Sequence, residues 1–327
     1  MKTALKIAGL LVGLVVVVVG GGLVWAKSTV ASKLERTIDV HTVDFPIPFP
    51  LDEAEITALG EPAQGSALDL SAIADQRARE RGKHLVVARY ACIECHGKDF
   101  GGGVMVDDPA IGRLLGPNVT TGIGSVTIGY TAADWDRIVR HGVRRDGHPS
   151  AMPAEDFQLM SDRELSDIIT YLRSMPPVDK EVAPVSFGPL GTLLAATGKL
   201  PLSADLIEDH HSEHLTEPPA TEATAEFGRH LAGVCTGCHG HDLQGGPIPA
   251  GPPDWPPAAN LTPHVEGLAD WTYAQFVTLM REGRRPDGTQ TRMPMTLMMT
   301  YAGQMTETEM KALWAYLRSV EPGPGSR

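Results

Sequence analysis

The pentapeptide Cys-x-x-Cys-His occurs twice, as Cys92-Ile93-Glu94-Cys95-His96 and Cys235-Thr236-Gly237-Cys238-His239, and the two copies use all four cysteines of the 327-residue chain. No cysteine is left over for a structural disulfide. A thioredoxin-like dithiol, or half of a four-cysteine zinc site, explains a Cys pair, but neither needs a histidine directly after both pairs. Covalent c-type haem attachment does need it: two thiols add to the haem vinyl groups and the adjacent imidazole becomes the proximal iron ligand. Two covalently attached haem c groups are therefore the expected cofactors, one on Cys92, Cys95 and His96, the other on Cys235, Cys238 and His239.

The length suits about two domains. Lys+Arg 28 against Asp+Glu 40 gives a net charge of -12, which argues against a nucleic-acid partner and suits either solubility or docking on a basic face of a redox protein. Lys2 and Lys6 precede an uncharged stretch from Ile7 to Ala26 that includes Leu10, Leu11, Val12 and the run Val15 to Val19. That is the length of a bilayer-crossing helix and exceeds the apolar region of about 7 to 15 residues in a secretory signal. A transmembrane anchor over residues 1–27 is expected, with Val24-x-Ala26 leaving a cleaved signal as the alternative. Basic residues ahead of the span place the remaining chain outside the cytoplasm. The expected location is the bacterial inner membrane, single-pass, with the haem domains in the periplasm, where c-type haems are attached.

After each haem motif the same signs return in the same order, the mark of a duplicated domain. Asn118-Val119-Thr120 answers to Asn260-Leu261-Thr262. Arg140, Gly142, Asp146-Gly147 and Met152-Pro153 match Arg281, Gly283, Asp287-Gly288 and Met293-Pro294 without a gap. Ser161 to Glu164 and Thr306 to Glu309 are capping boxes ahead of apolar residues at helical spacing, so each repeat closes on an amphipathic helix ending Tyr-Leu-Arg-Ser. Gly82-Lys83-His84 and Gly228-Arg229-His230 sit in helices leading into the motifs. No strand pattern stands out, so the expected fold class is all-α. The expected division is an anchor at 1–27, a proline-stiffened extended spacer at 28–77, a first domain at 78–177, a linker at 178–223 and a second domain at 224–322. A strap packed on the first domain is the other reading of the spacer.

What occupies the second axial position of each iron decides between carrier and catalyst. A thioether fills that position and raises the potential. Met152 and Met293 hold the same register, stand well beyond their histidines and precede prolines, so they are the expected distal ligands, completing the metal sites His96/Met152 and His239/Met293. Met160 is the rival for Met152, and Met298 leads Met295, Met299 and Met305 as rivals for Met293. His84 and His230 repeat so close to the motifs that packing is their expected role. His210, His211 and His214, with Glu208 and Asp209, read as a solvated linker, and no separate metal site is expected. Arg140, Arg281, Asn118 and Asn260 are candidates for holding haem propionates.

Cys-x-x-Cys-His-Gly, Asn-[Leu/Val]-Thr, Asp-Gly, Met-Pro and the Tyr-Leu-Arg-Ser helix together resemble class I cytochrome c domains, over residues 78 to 177 and 224 to 321. They are similar in particular to those of the multihaem cytochrome subunits of membrane-bound alcohol and gluconate dehydrogenases. Those subunits usually carry three motifs; this chain has two. The resemblance implies two compact helical domains passing single electrons in series. The expected function is that of a membrane-anchored periplasmic dihaem cytochrome and not an enzyme. It would carry electrons from a donor dehydrogenase or quinol-oxidising respiratory complex to a terminal oxidase or other acceptor. The alternative is a haem enzyme, a peroxidase or sulfur-compound oxidoreductase, with one open iron site and no catalytic side chain yet assignable.

Overall fold

A computed structural model describes residues 2–60, 67–248, 251 and 255–325. Helix α1 (Lys2–Glu35) leads through an extended segment and α2 (Glu53–Ala58) into the first domain. That domain contains α3 (Leu70–His84), a π-helical turn at Leu85–Arg89, α4 (Cys92–His96), strands β1 (Gly103–Asp108) and β2 (Gly112–Gly116), α5 (Ala132–His141), a 3-10 turn at Ala154–Phe157 and α6 (Asp162–Ser174). Between the domains lie β3 (Ser186–Phe187), α7 (Pro189–Ala196) and a 3-10 turn at Ser203–Asp205. The second domain repeats the helical plan with α8 (Ala225–Leu231), a 3-10 turn at Ala232–Cys235, α9 (Thr236–His239), α10 (Tyr273–Glu282), α11 (Met295–Ala302) and α12 (Glu307–Ser319).

One crossing organises each domain. The helix entering the haem motif lies across the closing helix, α3 on α6 and α8 on α12, and in both cases a glycine stands at the contact. A Cβ on Gly82 would fall 2.1 Å from the Asp167 carbonyl oxygen, and one on Gly228 would fall 1.9 Å from that of Ala312. Only hydrogen fits there. Capping boxes start both closing helices, Ser161 with Glu164 and Thr306 with Glu309, so two otherwise orphaned backbone N–H groups are satisfied at each start. Helices α5 and α10 likewise begin on capping boxes and end on left-handed glycines, Gly142 and Gly283. The buried faces form one core per domain: Val86, Phe100, Trp135, Leu165 and Ile169 in the first, and Leu243, Phe276, Met310, Leu313 and Leu317 in the second.

Four features depart from the sequence reading. The first domain is not purely helical: its glycine-rich segment forms an antiparallel hairpin, Gly103 opposite Gly116, and β3 adds antiparallel to β2. Val104 and Val106 between glycines carry the β preference that the glycines concealed. Nor is 28–77 a free spacer. Residues after α1 run as a strap whose Val40, Phe45, Phe49 and Leu51 are buried, Ser166 donates to the Pro46 carbonyl at 2.7 Å, and α3 already begins at Leu70. The 61–66 portion of that expected spacer lies outside the described residues. Segment 178–223 also packs, because Asn118 Nδ2 donates to the carbonyls of Val178 and Lys180, while Asp162 and Arg163 N–H groups donate to those of Leu215 and Thr216.

The fourth departure concerns the anchor. Among the described residues no helix is long and apolar enough to cross a membrane. The side chains of Val12, Val15 and Val16, within the expected apolar run, lie outside the described residues. Helix α1 also does not stop near residue 27. It continues to Glu35, buries Ala26 and Val30, and packs its last turns on α7, with Lys33 Nζ donating to the Ala195 carbonyl at 2.9 Å.

Gly82→Ala and Gly228→Ala should each destabilise their domain by about 1–3 kcal/mol through overpacking. Gly21→Ala, with nothing within 4 Å of the added carbon, should stay within about 0.5 kcal/mol of the parent. Urea unfolding of the holoprotein measures all three.

Candidate functional site

Each haem motif is a single helical turn ending on a glycine of positive φ, α4 on Gly97 at 77° and α9 on Gly240 at 78°. His96 Nδ1–H donates to the Pro117 carbonyl at 2.9 Å, and His239 Nδ1–H donates to the Ala259 carbonyl at 2.7 Å. A carbonyl accepts only, so each ring keeps its proton on Nδ1 and presents the Nε2 lone pair, the tautomer an axial ligand requires. Burial pushes both imidazoles below their ordinary pKa, against the pull of those carbonyls, and so favours the neutral, ligating form. Burial also raises the Cys92 and Cys235 thiols to about 12, with the neighbouring cysteine adding to both and Asp156 to the second. A redox dithiol needs the opposite shift.

The backbone around the first motif is pressed close. A Cβ on Gly116 would fall 1.9 Å from the Cys95 carbonyl oxygen and one on Gly103 2.6 Å from it, so the hairpin clamps the motif from its flank. In the second domain a bridge between Gly246 and Ala258 takes the hairpin's place. Two paired thiols and one tautomer-fixed imidazole on each helical turn are the donor set of haem c, and the residues fit that group.

Met152 is partly buried and packs on the same core as Cys92 and Ile93, whereas Met160 is 1% exposed inside that core. In the second domain Met293 is 44% exposed and its sulfur accepts from Thr296 Oγ1 at 3.0 Å. Met295 and Met299 pack on the core that Cys235 borders, Met298 is exposed, and Met305 is buried.

Three of the four repeated Asn and Arg candidates, Asn118, Asn260 and Arg140, have their polar groups engaged within the protein. Asn118 Oδ1 accepts from the Thr120 N–H and hydroxyl while its amide grips the chain after α6; Asn260 does the same with Thr262 and the Gly323 carbonyl. Each Asn therefore ties its domain's tail to the loop beside the proximal histidine. Arg140 is wholly buried and spends its donors on Asp136, Asp162 and the Met160 carbonyl. Arg281 lies near the Gly303 carbonyl and Glu307.

His84 and His230, read from sequence as packing residues, bind the two domains reciprocally. His84 Nε2 meets Glu309 at 2.9 Å and His230 Nε2 meets Glu164 at 2.8 Å, and Arg89 bridges both carboxylates while its guanidinium stacks 5.2 Å from the Phe227 ring centre. The haem-bearing segments meet at the same interface. The 3-10 turn after Met152 packs on residues 232–239 of the second motif, and α11, after Met293, packs on the π-turn that precedes the first. Asp156 closes against Gly237, where a Cβ would fall 2.3 Å from its Oδ1, and burial, with Glu155 adding, pushes that carboxyl up to about 7. Sequence reasoning saw Glu164 and Glu309 only as capping residues; their partners lie in the opposite repeat, which no local spacing reveals. The carbonyls of Pro117 and Ala259 were also missed, although each directly precedes the repeated Asn.

Comparison with known families agrees with this geometry. Residues 225–321 match the family described as Cytochrome c, and residues 77–172 match the one described as Cytochrome C oxidase, cbb3-type, subunit III. The chain thus contains two cytochrome c domains in tandem, each bearing a covalently attached haem c. It is 28% identical over 300 residues to the cytochrome c subunit of the quinone alcohol dehydrogenase of Gluconacetobacter polyoxogenes, covering 80% of this chain and 60% of that protein. Over 126 residues it is 32% identical to the cytochrome c subunit of gluconate 2-dehydrogenase of Pantoea cypripedii, covering 34% of this chain and 27% of that one. A diheme cytochrome c-type protein of Cereibacter sphaeroides is 25% identical over 230 residues, covering 64% and 72%.

Although burial opposes it, the hydrogen bond from His84 and the charge of Arg89 hold Glu309 down to about 2, below its ordinary 4.5. A depressed carboxylate contributes its full stability above 4.5 and loses it as pH falls toward 2. Glu309→Gln, which leaves Arg89 and His84 facing a neutral group, should cost about 3–5 kcal/mol at pH 7. The difference from the parent should shrink below pH 4.5. Urea unfolding across that pH range checks both.

Proposed function

We propose that this chain is a membrane-anchored periplasmic electron carrier in which two haems work in series, without catalytic chemistry of its own. The observation that carries the reading is the reciprocal interface, where the segment following Met152 packs on the second haem-motif segment and α11, following Met293, packs on the turn leading into the first. Bound haem supplies a one-electron couple at each iron. The chain's residues set its terms: Cys92, Cys95, Cys235 and Cys238 fix the groups, and His96 and His239 present tautomer-fixed proximal nitrogens. Met152 and Met293 are the proposed distal ligands, supported by identical register in the two repeats. Glu164, Glu309 and Arg89 hold the two domains in one orientation, so transfer between them needs no diffusional search.

The dehydrogenase subunits to which the chain is similar support a quinone-linked dehydrogenase or respiratory complex as donor, with a terminal oxidase or other redox protein as acceptor. Membrane attachment is supported by what α1 displays: Ile7, Leu10, Leu14, Val17, Val18 and Val24 are all more than half exposed along one uncharged stretch, a display that water disfavours and lipid satisfies. The engaged sulfur of Met293 favours a second reading for the second domain alone, a haem enzyme with an open iron position.

Met152→Ala should make the first haem bind carbon monoxide in the reduced state and lower its potential, with the parent protein binding none. If Met293→Ala leaves the ferric spectrum unchanged while Met298→Ala alters it, the distal ligand moves to Met298. Stoichiometric binding of carbon monoxide to the unaltered second haem would instead establish the enzyme reading. Replacing residues 1–24 with a cleavable secretory signal, which preserves export and haem attachment, should shift the holoprotein from the membrane fraction to the soluble periplasmic fraction; a full-length chain already found soluble would overturn the anchor.

A further inference from the structure

Four side chains from three separate segments, none of them a haem-motif residue, converge beside α5. His41 comes from the strap, Asp136 and His141 from α5, and His214 from the segment between the domains, and one ligand atom of each lies within 4.8 Å of the others. His41 Nε2 stands 3.5 Å and His141 Nε2 3.6 Å from Asp136 Oδ2, and His214 Nε2 stands 3.2 Å from His141 Nε2 and 3.8 Å from Asp136 Oδ1. Ligand atoms of a tetrahedral zinc ion, with bonds of about 2.0–2.2 Å, are separated by about 3.3–3.6 Å. Separations of 3.2, 3.5 and 3.6 Å lie near that spacing, while the 3.8 Å contact and the 4.8 Å limit on the whole set are wider, so a small inward movement of the side chains would close the site.

The outer hydrogen bonds fix which ring nitrogens face inward. His214 Nδ1–H donates to the Gln158 carbonyl at 3.0 Å, leaving its Nε2 a lone pair. His210 Nε2–H donates to the Ala204 carbonyl at 3.2 Å, so its Nδ1 accepts, and the His141 Nδ1–H 3.2 Å away is its donor. His141 therefore also turns a lone pair inward. Two imidazole lone pairs and a carboxylate then face one another with no proton between them. His41 Nε2 and Asp136 Oδ2 are buried without any hydrogen-bond partner, and the Asp136 side chain is 0% exposed. An unpartnered buried carboxylate oxygen is costly. Arg140 does not answer it, since it engages Oδ1 and is itself neutralised by Asp162.

We propose that His41, Asp136, His141 and His214 bind one divalent transition-metal ion, zinc by geometry and ligand type, in a closed tetrahedral site. Four protein ligands leave no open position, so the ion is structural. It staples the strap and the interdomain segment to α5. Gln158, Ala204 and His210 orient the ligands from outside, as metal-site partners commonly do. From sequence the site was invisible because its ligands come from distant segments, and His214 sits in a stretch that reads as solvated linker.

The test uses full-length holoprotein purified from zinc-supplemented cells. Elemental analysis should give one zinc per two irons, and zinc K-edge X-ray absorption should show nitrogen or oxygen ligands at about 2.0–2.1 Å with imidazole scattering. The iron does not interfere at that edge. His41→Ala/His214→Ala should lose the zinc while keeping both haems, and chelation should lower the Tm of the parent but not of the double variant. His211→Ala, on the surface nearby, should keep the zinc. Absence of zinc, a six-coordinate oxygen shell, or zinc retained by the double variant and lost from His211→Ala would overturn the site. Should the double variant fail to fold, the absorption edge of the parent decides by itself.

Discussion

Two buried carboxylates, Glu164 and Glu309, hold the architecture at both of its levels. Each completes the capping box that starts its own closing helix, and each reaches across to the histidine of the other domain. Arg89 bridges the two from between. Two carboxylates this deeply buried are tolerable only when their charge is met by close donors. The requirement couples the folding of each repeat to its docking on the other: a domain without its neighbour keeps a buried acid with part of its partners missing.

That coupling gives the tandem arrangement its functional sense. The histidines that cross the interface sit one helix ahead of the haem motifs, and the glycines that let those helices cross their closing partners are Gly82 and Gly228. The same few residues therefore set where each motif stands and which face it turns to its neighbour. Around each motif the polypeptide contributes a fixed tautomer, a close backbone clamp and a tail tied down by Asn118 or Asn260. Differences in potential then come from where the two domains differ, and two such places stand out among the described residues: the β1–β2 hairpin of the first against the Gly246–Ala258 bridge of the second, and α11, which has no helical counterpart of its length in the first domain.

Much of this was legible in the sequence because the information was local or repeated. Cys-x-x-Cys-His and the capping boxes at Ser161 and Thr306 each lie within short windows, and each has its counterpart in the other repeat. What sequence could not show depends on distant pairing. Phe45 and Phe49 read as a proline-stiffened spacer because extended segments have no periodicity to betray a buried side, and β1 and β2 hid in a run of glycines. Arg140 looked like a propionate ligand because it repeats, yet its partner Asp136 has no acid at the matching position in the second repeat, where Val277 stands. His41, His141 and His214 could be joined only by the fold.

An interface that makes two haem sites one relay must let electrons equilibrate between the haems of a single molecule, and flash kinetics can follow that step. After flash reduction of one haem in the fully oxidised holoprotein, the account predicts first-order equilibration at a rate independent of protein concentration. A rate that rises in proportion to protein concentration would mean that electrons pass between molecules and not across the Glu164–Glu309 interface, and would contradict it.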